Sequence, residues 1–122
     1  MENIKSVQGL DIEQGLKRMA GNSSLYKRLL LRFCNDNQDL VCETRKWYEE
    51  GEIEKCLRTI HTFKGVSGNL GAVDLCQISM CLEKELKNGD KAEFENSLNK
   101  FSEILPETLS QINKELTTWK ET

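Results

Sequence analysis

The only histidine of the chain, His61, lies in a stretch where the types and spacing of residues could support chemistry. Apolar or small residues recur there at intervals of three and four, which predicts one face of an α-helix. These residues are Ile53, Cys56, Leu57, Ile60, Phe63, Ser67 and Leu70. At about 100° per residue, His61 lies roughly 115° from the centre of this face and should point outward. Gly65 and Gly68 follow on the same side, and Lys64 should hold its ammonium near the imidazole.

This pattern suits the acceptance of a negatively charged group from a second protein. Neutral imidazole offers a lone pair for attack on phosphorus, and a nearby cation can neutralise phosphoryl oxygens. Glycine inside a helix costs roughly 1 kcal/mol relative to alanine. Gly65, nearly opposite the apolar centre, therefore needs a reason other than stability. Spacing alone leaves two alternatives open, namely a surface histidine without a role and glycines that permit close helix packing.

Composition favours one all-α domain. The 122 residues are 30% charged and 38% hydrophobic, with a single proline. The net charge of −3 argues against a nucleic-acid partner. Since no run of 18 apolar residues occurs and the start is polar, we expect no membrane contact, no signal peptide and a cytoplasmic location.

Five cysteines occur without the paired spacing of a metal site. We expect them to be reduced, buried small hydrophobes, and we expect no metal site. They are Cys34, Cys42, Cys56, Cys76 and Cys81.

The remaining apolar periodicity predicts one short and four long helices. They cover residues 12–19, 23–49, 52–70, 73–87 and 91–116. The polar residues 35–38 are a point of bending or interruption, and Pro106 should kink or split the last helix. Short loops between long helices predict an antiparallel up-down four-helix bundle, with the short N-terminal helix covering one end. Residues 1–10 are predicted to be a tail and residues 11–120 the domain.

Residues 61–65, His-Thr-Phe-Lys-Gly, followed by Ser-Gly-Asn-Leu-Gly-Ala at 67–72, resemble the signature of histidine phosphotransfer (HPt) domains. These domains occur in bacterial and eukaryotic phosphorelays. Residues 9–19 and 25–33 are similar to the opening of such modules at the C-terminus of hybrid sensor histidine kinases. The resemblance extends over roughly residues 9 to 115. A kinase dimerisation domain is a weaker match, because that family has an acidic residue directly after the histidine, where this chain has Thr62.

The resemblance implies roles for individual residues. His61 would accept a phosphoryl group from the phospho-aspartate of a receiver domain and pass it to another receiver. Lys64 would stabilise the phosphoryl oxygens, and Gly65 and Gly68 would leave room for the partner. Glu83 falls where the family often has a polar residue that hydrogen-bonds near the histidine. A carboxylate there would favour an oriented or protonated ring, but it would repel a bound phosphoryl group. Asn69 is a candidate for a local hydrogen bond or for a helix cap.

The same resemblance describes a carrier rather than an enzyme. The chain has no phosphate-binding loop or nucleotide lid, so it would bind no cofactor and the receiver would supply Mg²⁺. Expected partners are response-regulator receivers and a hybrid histidine kinase, from whose cytoplasmic portion this segment could come, and we expect a monomer. One alternative is a non-phosphorylated adaptor that binds a receiver or kinase domain. Another is a structural bundle that oligomerises through an additional apolar stripe, with Trp47, Tyr48 and Trp119 as candidate contacts.

Overall fold

The computed structural model describes residues 7–119, which form six α-helices. The helices are α1 (Ile12–Arg18), α2 (Ser23–Asp36), α3 (Leu40–Glu49), α4 (Ile53–Asn69), α5 (Val73–Asn88) and α6 (Lys91–Thr118). The all-α prediction is therefore confirmed. Residues 1–6 of the predicted tail and Lys120 of the predicted domain lie outside the described residues. Within the rest of that tail, Val7 and Leu10 are buried against the helices.

Polar residues begin three of the helices. The carboxylate of Asp11 accepts a hydrogen bond from the backbone of Gln14 at 3.0 Å, and Asp90 does the same for Glu93 at 3.2 Å. Asn22 caps α2 through the backbone of Leu25 at 3.0 Å. Each side chain satisfies one amide that has no partner inside its helix, which stabilises a helix by about 1 kcal/mol.

The predicted long second helix is two helices, α2 and α3. The interruption falls at the polar residues, where side-chain amides bind the last carbonyls of α2. Asn37 donates to the carbonyl of Phe33 at 2.8 Å, and Gln38 donates to that of Cys34 at 2.9 Å. These bonds replace the backbone amides that a continuing helix would supply, so α2 ends there.

Pro106, in contrast, does not split α6, which is continuous from Lys91 to Thr118. A proline removes one backbone donor from a helix interior. Pro106 itself is exposed, while Leu105 and Leu109 beside it are buried. Burial of the apolar face therefore stabilises the helix across this position.

The helices pack as a bundle of four columns, as predicted. α4 packs most extensively against α5, and α5 against α6. α2 packs on α6, while α3 contacts both α4 and α6, so α2 and α3 together form the fourth column. Short connections between α4, α5 and α6 require neighbouring helices to run antiparallel. The short helix α1 contacts α2.

Three phenylalanines join the columns in the core. The ring of Phe63 stacks on Phe33 with centroids 5.4 Å apart, and it meets the edge of Phe101 at 5.5 Å. Aromatic pairs in these geometries add to the stabilisation gained by burying their apolar surface. Phe63 lies two residues after His61, so its burial fixes the direction in which the histidine points.

The C-terminal end of α4 is held by α2 and by the residue that precedes α1. Tyr26 donates its hydroxyl to the carbonyl of Leu70 at 2.6 Å, and the amide of Asp11 donates to the carbonyl of Gly71 at 2.6 Å. Gly71 has φ +81°, and a Cβ there would collide with the carbonyl of Asp11. Both the turn and the close approach therefore require glycine.

The cysteines are only partly as predicted. All five are free thiols, and Cys34 and Cys56 are buried. Burial raises the pKa of the Cys34 thiol to about 11. Cys76 is half-buried, and Cys42 and Cys81 are exposed. The expectation of burial was wrong for Cys42 and Cys81. Each lies beside an apolar residue in the sequence, but its side chain lies at the edge of the packed face and points toward solvent.

Candidate functional site

Helix α4 directs its apolar face into the bundle and His61 outward. Ile60, Phe63 and Ser67 are buried on the inner face. The side chain of His61 is 67% exposed, as the spacing predicted. On the neighbouring helix α5, the side chain of Glu83 is only 10% exposed and lies directly behind the histidine.

The carboxylate of Glu83 contacts both His61 and Lys64. Its Oε2 lies 2.7 Å from Nδ1 of His61, and its Oε1 accepts a hydrogen bond from Nζ of Lys64 at 2.6 Å. An ionised carboxylate can only accept, so Nδ1 of the imidazole carries the hydrogen. In the neutral ring, Nε2 then holds the free lone pair. The geometry orients the ring and leaves this nitrogen available for attack.

The surroundings of Glu83 favour its ionised form. Its pKa lies below the ordinary value, first because Lys64 donates a hydrogen bond to the carboxylate. Partial burial opposes this effect, while the hydrogen bond from His61 and the positive charges of Lys64 and Lys87 reinforce it. The carboxylate is therefore negatively charged at neutral pH, as the Nδ1–H form of the histidine requires.

Lys87 is a member of this cluster that was not predicted from the sequence. Its Nζ lies 3.9 Å from Oε2 of Glu83, and its side chain is 62% exposed. The signal was present in the sequence, because residues four apart on a helix are neighbours. It has meaning only once Glu83 is known to face His61, which depends on the packing of α4 against α5.

The two glycines near His61 have different surroundings. A Cβ on Gly65 would meet nothing within 4 Å, whereas one on Gly68 would lie 3.3 Å from Sγ of Cys76 on α5. Gly65 therefore leaves open space beside the histidine. The position of Gly68 favours a role in close packing of α4 on α5.

Asn69 is not brought together with His61. It is the last residue of α4. Eight residues of helix place it roughly 12 Å along the axis from the histidine. It lines a groove on the other side of α4, away from Glu83.

That groove lies between α2 and α4 and has a volume of about 770 Å³. Along α4 it extends from Lys55 to Leu70, and it passes next to the histidine at Thr62. Its apolar lining consists of Met19, Leu29, Phe33, Leu40, Phe63, Val66 and Leu70. Arg32, Lys55 and Arg58 also line it, together with one acidic residue, Asp36. The groove is thus an apolar channel with a net positive edge.

Among residues 7–119, no three histidine, cysteine, aspartate or glutamate side chains come together as a metal-binding group. No helix in the described part of the chain has the length and hydropathy needed to cross a membrane.

The fold and the site define an α-helical bundle that presents one oriented, accessible histidine on a surface helix. The family model of the Hpt domain matches residues 28–118, which is most of the chain. The chain therefore belongs to the Hpt family, and the resemblance seen in the sequence is confirmed. Its role is phosphotransfer in phosphorelay signalling, and Hpt domains are phosphocarriers that interact with receiver domains and kinases. Comparison with curated proteins and with solved structures gives no match.

Proposed function

We propose that His61 is the phosphorylated residue of this carrier, and that Nε2 accepts the phosphoryl group from a receiver's phospho-aspartate and passes it to the aspartate of another receiver. One observation carries the proposal: Nδ1 of His61 is bound to Glu83 at 2.7 Å, so Nε2 is the available nucleophile. Transfer between proteins also requires an accessible acceptor, and the histidine side chain is 67% exposed.

The transfer step is balanced without an added acid or base. The Nε2 lone pair forms the N–P bond while the P–O bond to the aspartate breaks, and the electron pair of that bond stays on the aspartate carboxylate. Since Nδ1 keeps its hydrogen, the ring gains positive charge. Glu83 stabilises this charge, as a buried aspartate stabilises the imidazolium in the serine-protease triad.

The repulsion expected between Glu83 and a phosphoryl group is reduced by this arrangement. Glu83 binds the ring at Nδ1, on the opposite edge from the attacking nitrogen, and Lys64 offsets its charge. Lys64 lies three residues after His61 on the same helix and contacts the same carboxylate. We assign it to the phosphoryl oxygens, while the receiver supplies Mg²⁺ and its acidic pocket.

The receiver would approach over Gly65 and the α2–α4 groove. Space beside Gly65 is open, and Val66, 43% exposed, offers apolar surface at the groove. Positive charge from Arg32, Lys55 and Arg58 complements the acidic pocket of a receiver, which favours the correct partner and speeds association. A hybrid histidine kinase, with its own receiver, would be the donor in the relay.

We further propose that the carrier is a monomer in the cytoplasm. An oligomer built through an apolar stripe would need exposed hydrophobic side chains in a continuous band. Among residues 7–119 the exposed large hydrophobics are Val66, Val73 and Met80. Trp119 is buried, and Trp47 and Tyr48 are half-buried.

The first experiment measures phosphate on His61. The chain is incubated with a phosphorylated receiver and Mg²⁺, and acid-labile, base-stable phosphate is measured on the wild type and on His61→Gln. Label on the wild type alone supports the proposal. Lys64→Ala should then slow transfer by about tenfold to a hundredfold, because a charge that stabilises the transition state is lost.

The alternative outcomes separate the rival functions. If several receivers bind the wild type but none labels it, the chain is a non-phosphorylated adaptor. If His61→Gln carries as much label as the wild type, the acceptor is another residue. Thermal unfolding of both variants serves as the control, since neither exposed His61 nor Lys64 belongs to the hydrophobic core.

A further inference from the structure

Two lysines approach one carboxylate on the α5 side of His61. Lys64 contacts Oε1 of Glu83 at 2.6 Å, and Lys87 lies 3.9 Å from Oε2. Only the first of these distances is that of a hydrogen-bonded ion pair. Lys87 therefore forms only a long, weaker ion pair with Glu83, without a hydrogen bond.

The proposed transfer creates a problem for Glu83. Lys64 cannot give its ammonium fully to a phosphoryl group on His61 while it remains bound to Oε1. When it turns away, a side chain that is only 10% exposed loses its ion pair at Oε1 and keeps only the imidazole of His61 at Oε2. Removing one partner from a poorly solvated ion pair is costly, and this cost would oppose the movement of Lys64.

We infer that Lys87 is a positioning residue that takes over the carboxylate of Glu83 when Lys64 turns to the phosphoryl group. This role rests on the proposed function of His61. Lys87 would thus lower the cost of releasing Lys64, without itself contacting the phosphoryl group.

The surroundings of Lys87 allow this exchange. It is four residues after Glu83 on α5, so its side chain covers the same helix face. A movement of about 1 Å would bring its ammonium to hydrogen-bond distance of Oε2, the oxygen that also contacts Nδ1 of His61. A cavity of about 490 Å³, lined by Lys64, Glu83, Lys84 and Lys87 among others, leaves room for both lysines to move.

The test measures the rate of phosphoryl transfer at saturating phospho-receiver for Lys87→Gln and for Lys84→Gln. Lys84 is an exposed lysine on the same helix and lines the same cavity, so it controls for the loss of one positive charge. Lys87→Gln should slow transfer about three- to fivefold, the range of a partly exposed ion pair, with an unchanged half-saturating receiver concentration. Lys84→Gln should leave the rate unchanged, and Lys87→Arg should retain it.

A second background tests whether Lys87 acts through Glu83. In Glu83→Gln there is no carboxylate charge to compensate, so adding Lys87→Gln should have no further effect on the rate. An equal effect in both backgrounds would overturn the inference, since Lys87 would then act on the phosphoryl group or the receiver directly. So would a Lys87→Gln rate equal to that of Lys84→Gln.

The failure of the proposed function would be seen separately. A wild type without label on His61 refutes the carrier step, and the role of Lys87 fails with it. A labelled wild type with an unaffected Lys87→Gln variant overturns the role of Lys87 alone. Thermal unfolding of each variant excludes a loss of fold as the cause of slow transfer.

Discussion

The two sides of α4 differ in chemistry although they belong to one helix. Toward α5, His61 and Lys64 share a buried carboxylate. Toward α2, the same helix lines an apolar groove with Thr62 and Val66. His61 and Thr62 are adjacent in sequence, so a rotation of about 100° separates the charged side from the apolar side.

The difference indicates that the two sides of α4 have separate functions. Charged groups fixed by hydrogen bonds stabilise a transition state and act mainly on the transfer rate. Covering exposed apolar surface with a partner stabilises the complex, so the groove acts mainly on affinity. The α5 side should therefore determine how fast phosphate moves, and the groove should determine how tightly a receiver binds.

The largest effect is expected for Val66→Glu, which introduces a carboxylate into the apolar groove and tests whether the groove determines affinity. Binding of the receiver should weaken about tenfold or more, because a charge would lose solvent in the complex and would repel the receiver's acidic pocket. Affinity is measured by titration calorimetry, and the transfer rate at saturating receiver should remain near that of the wild type.

Val73→Glu is the matched control for that change. Val73 is 39% exposed, close to the 43% of Val66, but it begins α5 and does not line the groove. It should leave affinity nearly unchanged. Equal losses for the two variants, or a lower rate with unchanged affinity for Val66→Glu, would contradict the proposed separation of docking from chemistry.

A smaller effect is expected for Gly65→Ala, which tests whether space beside His61 is kept at the expense of stability. Nothing lies within 4 Å of the added Cβ. The free energy of unfolding should therefore rise by about 0.5 to 1 kcal/mol, measured by urea denaturation, because alanine favours the helix. Transfer should become slower as the methyl group enters the path of the receiver.

Gly68→Ala gives the comparison at the neighbouring glycine. Its Cβ would lie 3.3 Å from Sγ of Cys76, so crowding should reduce the gain in stability. Its effect on transfer should be weaker than that of Gly65→Ala. If Gly65→Ala transfers phosphate as fast as the wild type, the open space is not needed for docking.

Much of this arrangement was predictable from the sequence because it depends on local periodicity. The spacing around Phe63 was sufficient to predict that His61 points outward. The same arithmetic placed Gly68 beside the histidine, but α5 passes close to that residue and partly buries it. Side-chain directions calculated for a single helix do not take the neighbouring helices into account.

The features that were missed depend on tertiary packing. The contact between Lys87 and Glu83 has meaning only when α5 is rotated so that Glu83 faces α4. The groove requires α2 to lie at a particular distance from α4. Neither of these relations leaves a repeating pattern in the sequence.

The smallest expected effect concerns pH and separates the charge of Glu83 from its packing. Because the folded-state pKa of Glu83 is lowered, first by the hydrogen bond from Lys64, its carboxylate contributes stability that is fully present above about pH 4.3, the ordinary value. This contribution is lost as the pH falls through the lowered pKa. The stability difference between the wild type and Glu83→Gln should therefore be largest at neutral pH and shrink on acidification.

Urea denaturation of both proteins between pH 7 and pH 3 measures this difference. Repeating the pair in a Lys64→Met background removes the first cause of the lowered pKa, so the dependence on pH should become weaker. A difference that stays constant across the range would mean that Glu83 stabilises the fold by packing alone. The geometry of the charged side of α4 would then depend on packing, as that of the groove does. The two sides would differ only in their effect on the transfer reaction.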